Sequence, residues 1–329
     1  MAELEQWLDQ IEGLSGVDLT PASADASFRR YFRLQSAGTS FIVMDAPPSQ
    51  EDCLPFVRIA GYLEAMRLNA PRIIEADLER GFLLLTDLGT TQFLQALQGD
   101  ATSAEQLYDD AISALSTMQS RGAAYQSMLP QYDARLLESE LSLFYDWLCV
   151  AHLGIEWSAD DKLLWRDSCT LLIGNALDQP QVFVHRDYHS RNLMLTAENN
   201  PGILDFQDAV EGAFTYDLVS LLKDCYIRWP AQRVRAWAEK FYQDLAPDLR
   251  AQVDMSQFIR YFELMGAQRQ LKAAGIFARL HHRDGKPGYL ADIPRTLSYI
   301  VELGTAYEEL GFLVDVIANR CLPALERKS

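Results

Sequence analysis

From residue 181 the chain runs Gln181-Val182-Phe183-Val184, His185-Arg186-Asp187-Tyr188-His189-Ser190-Arg191-Asn192, Leu193-Met194-Leu195, and then Ile203-Leu204-Asp205-Phe206. Apolar, β-prone runs alternate with polar loops over lengths too short for helices. The turn residues Asn199-Asn200-Pro201-Gly202 fall between the last two runs. The pattern predicts short strands bearing their polar residues at strand ends. Those residues are chemically pointed: Asp187, then Asn192 five positions on, then Asp205 thirteen further. Phosphoryl transfer needs one carboxylate facing an incoming hydroxyl and a few oxygen ligands holding a divalent cation on phosphate groups. Asp187 suits the first task; Asn192 and Asp205 suit the second. The competing reading is a polar hairpin with a satisfied histidine and solvated carboxylates, and the strands on either side weigh against it.

Composition narrows the field. With 329 residues, 49% of them hydrophobic, the chain has material for a large core and two lobes. A net charge of −17 argues against nucleic acid or an anionic membrane as partner, since both reward clustered Lys and Arg. Cys53, Cys149, Cys169, Cys225 and Cys321 are scattered and form no C-x-x-C pair, which suits reduced thiols in a cytoplasmic protein. Met1-Ala2-Glu3-Leu4-Glu5 lacks the features of a signal peptide, and no apolar run reaches the length of a membrane span.

Up to about residue 86 the pattern is that of a small α/β lobe. Leu4, Trp7, Leu8 and Ile11 recur at helical spacing, and two β-rich runs, 29–34 and 40–44, flank a turn at Gly38. A helix is expected over 51–68, with another strand pair at 72–76 and 81–86. Beyond lie helical patterns at about 102–119, 133–152, 159–177, 215–228, 231–244, 255–281 and, with breaks, 290–320.

Taken together, Val184-His185-Arg186-Asp187, Asn192, Ile203-Leu204-Asp205-Phe206, Tyr216-Asp217-Leu218 and Leu84-Leu85-Thr86-Asp87-Leu88-Gly89 resemble the aminoglycoside-phosphotransferase and choline-kinase superfamily. No A-P-E segment follows Asp205, which favours a small-molecule enzyme over a protein kinase. Within the superfamily, Ala26 to Arg33, Met44 to Pro48, His185 to Met194, Asp205 to Ala209 and Gly275 to Leu280 are most similar to the bacterial anomeric amino-sugar kinases.

The resemblance implies an α+β, two-lobe protein-kinase-like fold. A β-rich nucleotide-binding lobe would span 1–86, and a mainly helical catalytic and substrate-binding lobe 87–329. It implies ATP and Mg²⁺ as cofactors and a sugar hydroxyl as acceptor, that of N-acetylmuramate or N-acetylglucosamine. Asp187 would orient or deprotonate that hydroxyl, Asn192 and Asp205 would hold the metal, and Ser27, Thr86, Asp87 and Leu88 would line the nucleotide site. His185 and Asp217 would brace the loop. Another small-molecule kinase, acting on an aminoglycoside, amino alcohol or hydroxy amino acid, is the alternative. A nucleotide-binding scaffold without catalysis is the second. The choice of ATP or GTP, the number of metal ions and the oligomeric state stay open.

Two departures matter. No G-x-G-x-x-G occurs in the first lobe, and the first lysine of the chain is Lys162, so the strand ending Met44-Asp45 lacks the usual phosphate-binding lysine. Arg30 and Arg33 are the candidate replacements, because a guanidinium fork binds phosphate bidentately; pairing with surface acids is the competing role. Apart from these departures, a second informative feature is a basic cluster between Arg260 and Lys286. There Arg269, Lys272, Arg279 and Arg283 fall at helical spacing and could dock a substrate carboxylate, or else form a solvated basic face.

Overall fold

The computed structural model describes residues 1–23, 28–99 and 104–328. In chain order the elements are α1 (Ala2–Leu8), β1 (Thr20–Ser23), β2 (Arg30–Ser36), β3 (Thr39–Asp45), α2 (Leu54–Ala65), β4 (Ile73–Asp77) and β5 (Phe82–Thr86). Then come α3 (Phe93–Gly99), α4 (Ala104–Gly122), α5 (Ala134–Leu143) with a π-helical continuation (Phe144–His152), and α6 (Ala159–Leu177). Four short strands follow: β6 (Gln181–Val184), β7 (Leu193–Met194), β8 (Gly202–Ile203) and β9 (Val210–Ala213). The rest is helical: α7 (Tyr216–Leu222), α8 (Ala231–Gln243), α9 (Pro247–Arg250), α10 (Met255–Asp284), α11 (Ile293–Leu303), α12 (Gly311–Val316) and α13 (Leu322–Glu326).

Two compact units result. One comprises Met1–Ala111 with Arg191–Asp208, the other Ile112–Ser190 with Ala209–Ser329. In the first, an antiparallel five-stranded sheet has the order β1-β2-β3-β5-β4. The two-residue period of a strand assigns its faces. Val43 lies opposite Leu84, and both pack with Leu4, Trp7 and Leu8 of α1. Ile42 lies opposite Leu85, one residue out of phase, and this pair lines a cavity on the other side. The hairpin from β2 to β3 turns at Ala37 and Gly38, both at positive φ, as a tight two-residue turn requires.

The second unit is built on α10. Asp254 caps its start, accepting the Gln257 N–H at 2.8 Å, and Gly285, at φ 65°, ends it in the left-handed conformation. Gly275 sits where α10 crosses the end of α5: a Cβ there would lie 2.3 Å from the backbone carbon of Leu143, so only glycine allows the approach. Leu141, Phe144, Leu148, Leu264, Leu271, Ala274 and Phe277 form the core around that crossing.

Several expected elements end elsewhere. The helix expected over 215–228 stops at Leu222, because the chain turns so that Asp224 can accept hydrogen bonds from Ser190. The strands β1 and β9 and the helix α3 were not anticipated. β9 pairs antiparallel with β6, a partner distant in sequence, and its Val210-Glu211-Gly212-Ala213 carries no strong β signal of its own. All five cysteines are free thiols. Among the described residues no helix is long and apolar enough to cross a membrane.

Candidate active site

Asn192 and Asp205 meet because β7 and β8 pair, Leu193 with Ile203 and Met194 with Gly202. The Leu204 N–H donates to the Asn192 carbonyl at 2.9 Å, which sets the two side chains at the same end of the hairpin. The Asn192 amide donates to Asp205 Oδ2 at 3.2 Å, and the Gln207 amide donates to Asp205 Oδ1 at 2.8 Å. Asp205 holds φ 62°, a left-handed backbone that costs an L-residue free energy and is tolerated where function demands it. The hairpin is tied into its own unit by the Ile203 N–H on the Asn69 carbonyl (2.7 Å) and the Leu195 N–H on the Thr91 carbonyl (2.8 Å). Asn192 and Asp205 share a cavity of about 470 Å³ with Ile42, Leu85, Leu88 and Phe206. That volume and its mixed apolar and polar wall suit a small ligand such as a nucleoside. The carboxylate and the amide oxygen are hard donors, the type Mg²⁺ takes, so the pair fits a divalent ion.

The far end of the cavity is the turn after β5. Asp87 there accepts from Arg33 Nε at 2.6 Å, Arg33 Nη2 at 3.1 Å, Ser40 Oγ at 2.6 Å and the Gly89 N–H at 2.9 Å. Arg33 also donates to the Gly89 carbonyl at 2.9 Å. Burial would raise the Asp87 pKa, but Arg33, Ser40 and the Gly89 N–H outweigh it and hold the carboxyl below its ordinary value. Thr86 anchors the same turn, its hydroxyl accepting the Arg72 N–H at 2.9 Å. Arg33 is thus committed to the turn through Asp87 and Gly89, both part of the cavity wall. Arg33→Ala is expected to weaken adenosine and ATP binding alike, by about tenfold or more, since charged hydrogen bonds contribute ~1.5–3 kcal/mol each. Titration of both ligands checks this: selective weakening of ATP would place Arg33 on the phosphates instead.

Arg30 pairs across the hairpin with Asp45, its register partner, and stays half-exposed while Asp45 is buried. Ser27 lies outside the described residues. Sequence reasoning passed over two other arginines. Arg191 lines the cavity next to Asn192, and its place inside the polar loop was the available signal. Arg29 is partly buried and forms a 3.0 Å ion pair with Glu51, just ahead of α2.

Asp187 belongs to the second unit, on a loop held by buried carboxylates. Asp217 Oδ2 accepts the His185 N–H at 2.6 Å and Oδ1 the Arg186 N–H at 3.0 Å. Burial pushes Asp217 up to about 7, against those two backbone donors. Asp224 accepts both the Ser190 N–H (2.9 Å) and its hydroxyl (2.5 Å). Buried His185 accepts the Asp187 N–H on Nδ1 at 3.2 Å, a contact within the loop itself. Arg186 has φ 78°, so the loop reverses at the residue before Asp187. Burial would raise the Asp187 pKa; Lys272, His189, Arg269 and Arg186 outweigh it, and the carboxyl lies below its ordinary value. Asp187 is therefore a carboxylate at neutral pH.

The basic cluster on α10 is divided. Arg269 and Lys272 are buried; Lys272 Nζ lies 2.9 Å from Glu140 Oε1 and 2.8 Å from the Tyr216 hydroxyl. Arg186 Nη2 reaches the same Glu140 oxygen at 2.6 Å. Arg279 is half-buried, and its Nε has no hydrogen-bond partner. Arg283 is exposed and paired with Asp284 at 2.8 Å. The four cations do not share one solvent face.

Known proteins place this geometry. Residues 18–255 match the family model described as "Phosphotransferase enzyme family". A Pseudomonas putida protein named N-acetylmuramate/N-acetylglucosamine kinase is 48% identical over 302 residues, 92% of this chain and 88% of its own. A protein of the same name from Pseudomonas aeruginosa is 45% identical over 328 residues, 96% of each chain. A solved choline kinase from Streptococcus pneumoniae shares the fold at a TM-score of 0.61 and 12% identity, covering 91% of this chain and 97% of that one. The two-lobe, kinase-like α+β architecture expected from the sequence is therefore the fold of this chain. On the extent of the family match and the near full-length relatives, the chain belongs to the phosphotransferase enzyme family.

Proposed function

We propose that the protein is an ATP-dependent kinase that phosphorylates the anomeric hydroxyl of N-acetylmuramate or N-acetylglucosamine, serving the recycling of cell-wall sugars in the cytoplasm. The observation that carries this is near full-length identity of 45–48% to two proteins named for that activity. Beside it stands the loop geometry: an ionised Asp187 fixed by Asp217 and Asp224, and the Asn192–Asp205 pair in a cavity of nucleoside size. In this reading the turn held by Arg33 and Asp87 receives the base, and Ile42 and Leu85 flank it. Asn192 and Asp205 bind the metal through their side-chain oxygens. Mg²⁺ bound there would neutralise charge on the phosphate oxygens. Asp187 accepts a hydrogen bond from the acceptor hydroxyl and aligns it for in-line attack. Arg191, beside Asn192, replaces the absent lysine as a phosphate cation.

Purified protein incubated with ATP should consume it with both amino sugars and yield an acid-labile phosphate ester, the mark of an anomeric phosphate. Consumption only with an aminoglycoside, choline or homoserine would overturn the sugar assignment, and ATP binding without turnover on any of these would leave a scaffold. Arg279, whose Nε lacks a partner, suits the lactyl carboxylate that N-acetylmuramate carries and N-acetylglucosamine lacks. Arg279→Ala should lower kcat/KM for N-acetylmuramate by roughly tenfold or more while leaving N-acetylglucosamine nearly unchanged. Equal losses on both sugars would assign Arg279 to the shared ring or to the fold.

A further inference from the structure

Outside the residues that line the cavity or form the loop at Asp187, three of the chain's five histidines converge. His152 ends the π-helical stretch after α5, and His281 and His282 lie in the last turn of α10, some 130 residues later. Each contributes a ring nitrogen to a set whose members all lie within 4.8 Å of one another. His152 Nδ1 and His282 Nε2 are 3.1 Å apart, and the ring centroids are separated by 4.7–5.6 Å. His281 Nδ1 is buried with no hydrogen-bond partner.

A neutral imidazole has one N–H and one lone pair. The 3.1 Å contact uses one of each from two rings, and His281 Nδ1 is left over. Apolar residues would fill the space without that cost. We infer that His152, His281 and His282 form a binding site for one divalent transition-metal ion, zinc by chemical class, which fastens the end of α10 to the end of the helix after α5.

The geometry fits that ion. Zinc–imidazole bonds of about 2.0–2.1 Å at tetrahedral angles set ligating nitrogens about 3.3 Å apart. One pair is already at 3.1 Å, and the remaining ligand atoms lie within 4.8 Å. The rings present ring nitrogens to one another: those of His152, His281 and His282 all lie within 4.8 Å, and His281 Nδ1 has no hydrogen-bond partner. The C-terminal end of α10 adds the negative pole of a 30-residue helix. Lys328 is a cation acting against the site, and it is exposed to solvent, which screens its charge. Three protein ligands leave a fourth position for water or a small anion. Ni²⁺ and Cu²⁺ favour the same nitrogen donors and would compete.

The test uses full-length protein without a histidine tag, stripped with chelator. Zinc titrated in competition with a chromophoric chelator should give one ion per chain, and Co²⁺ should develop the visible absorption of a tetrahedral site. Melting temperature should rise with zinc and fall back on chelation. His282 is exposed, so His282→Asn should fold normally, and it should bind zinc at least ~10-fold more weakly, since even outer-sphere changes cost 10–100-fold. His281→Asn should do the same, with catalytic turnover as the check on folding. Binding of less than one ion, or undiminished affinity and an unchanged Co²⁺ spectrum in both variants, would overturn the site.

Discussion

Asp187→Asn is expected to fold and to bind nucleotide normally while losing turnover by at least ~10², the lower end of what a positioned acid–base or orienting group contributes. The surroundings of Asp187 say which of those roles it fills. Lys272, His189, Arg269 and Arg186 hold its carboxyl below the ordinary value despite burial. A carboxylate so stabilised is a weak base and a good hydrogen-bond acceptor. Phosphoryl transfer through a loose transition state asks little proton removal of the nucleophile early on, so alignment is the larger need. An orienting Asp187 predicts a loss near ~10²; a true base predicts one nearer ~10⁴. The pH profile separates the cases further. Because the folded pKa is depressed, Asp187 stays ionised as pH falls through the usual carboxylate range near ~4, and kcat/KM should show no acid limb from this group above about pH 5. Lys272→Met removes its largest cationic support, so the pKa should rise and the acid limb should move to higher pH. Near-normal turnover in Asp187→Asn would place the chemistry elsewhere.

What could be read in advance divides along physical lines. The hairpins carrying Asn192 and Asp205 were legible because strand, turn and polar residue alternate within one local stretch. The faces of β3 and β5 were not legible, since 41–44 and 82–85 are apolar at every position and only the register and packing distinguish the two sides. The role of Arg33 was not legible, since its partners Asp87 and Gly89 lie more than fifty residues away on another strand end. The same holds for Asp224, which carries no motif and is seen only when α7 ends at Leu222 and the side chain turns to Ser190. The cations of α10 show the limit most clearly. The spacing of Arg269, Lys272, Arg279 and Arg283 placed them along one helix, but α10 is buried on most sides near its middle and exposed at its end. Helical spacing gives angle; it does not give depth along the axis. The depth decides that Lys272 is a buried partner of Glu140 and that Arg283 is a surface ion pair.

Glu140 was likewise invisible in the sequence, and its removal should have the largest effect on stability. It is buried near the middle of α5 and serves two cations at once: Arg186 at 2.6 Å and Lys272 at 2.9 Å, both on Oε1. Its other oxygen accepts a short hydrogen bond from the Tyr132 hydroxyl and a 3.4 Å contact from Gln268. Burial would raise the Glu140 pKa; Lys272, Arg186 and Tyr132 outweigh it and depress the value. A depressed carboxyl adds stability above its unfolded pKa, and that stability is lost as pH falls through the folded one. Glu140→Ala leaves an arginine and a lysine buried without their shared carboxylate, a change that costs about 3–5 kcal/mol when one partner of a buried pair is removed. At ~2–4 °C per kcal/mol for a body of 150–250 residues, the melting temperature should fall by roughly 6–20 °C. Glu140→Gln keeps the volume and a partner for Tyr132 but not the charge, so it should recover only part of the loss. The double variant Glu140→Leu with Lys272→Met should be more stable than Glu140→Ala alone, because it removes one stranded cation together with its partner. Turnover should fall in all three, since Arg186 and Lys272 both flank Asp187 and fix the charge around it. Thermal melts at neutral pH decide the matter: a drop of less than ~1 kcal/mol in Glu140→Ala would mean that water or Asp187 compensates both cations, and that the network is not what holds the loop.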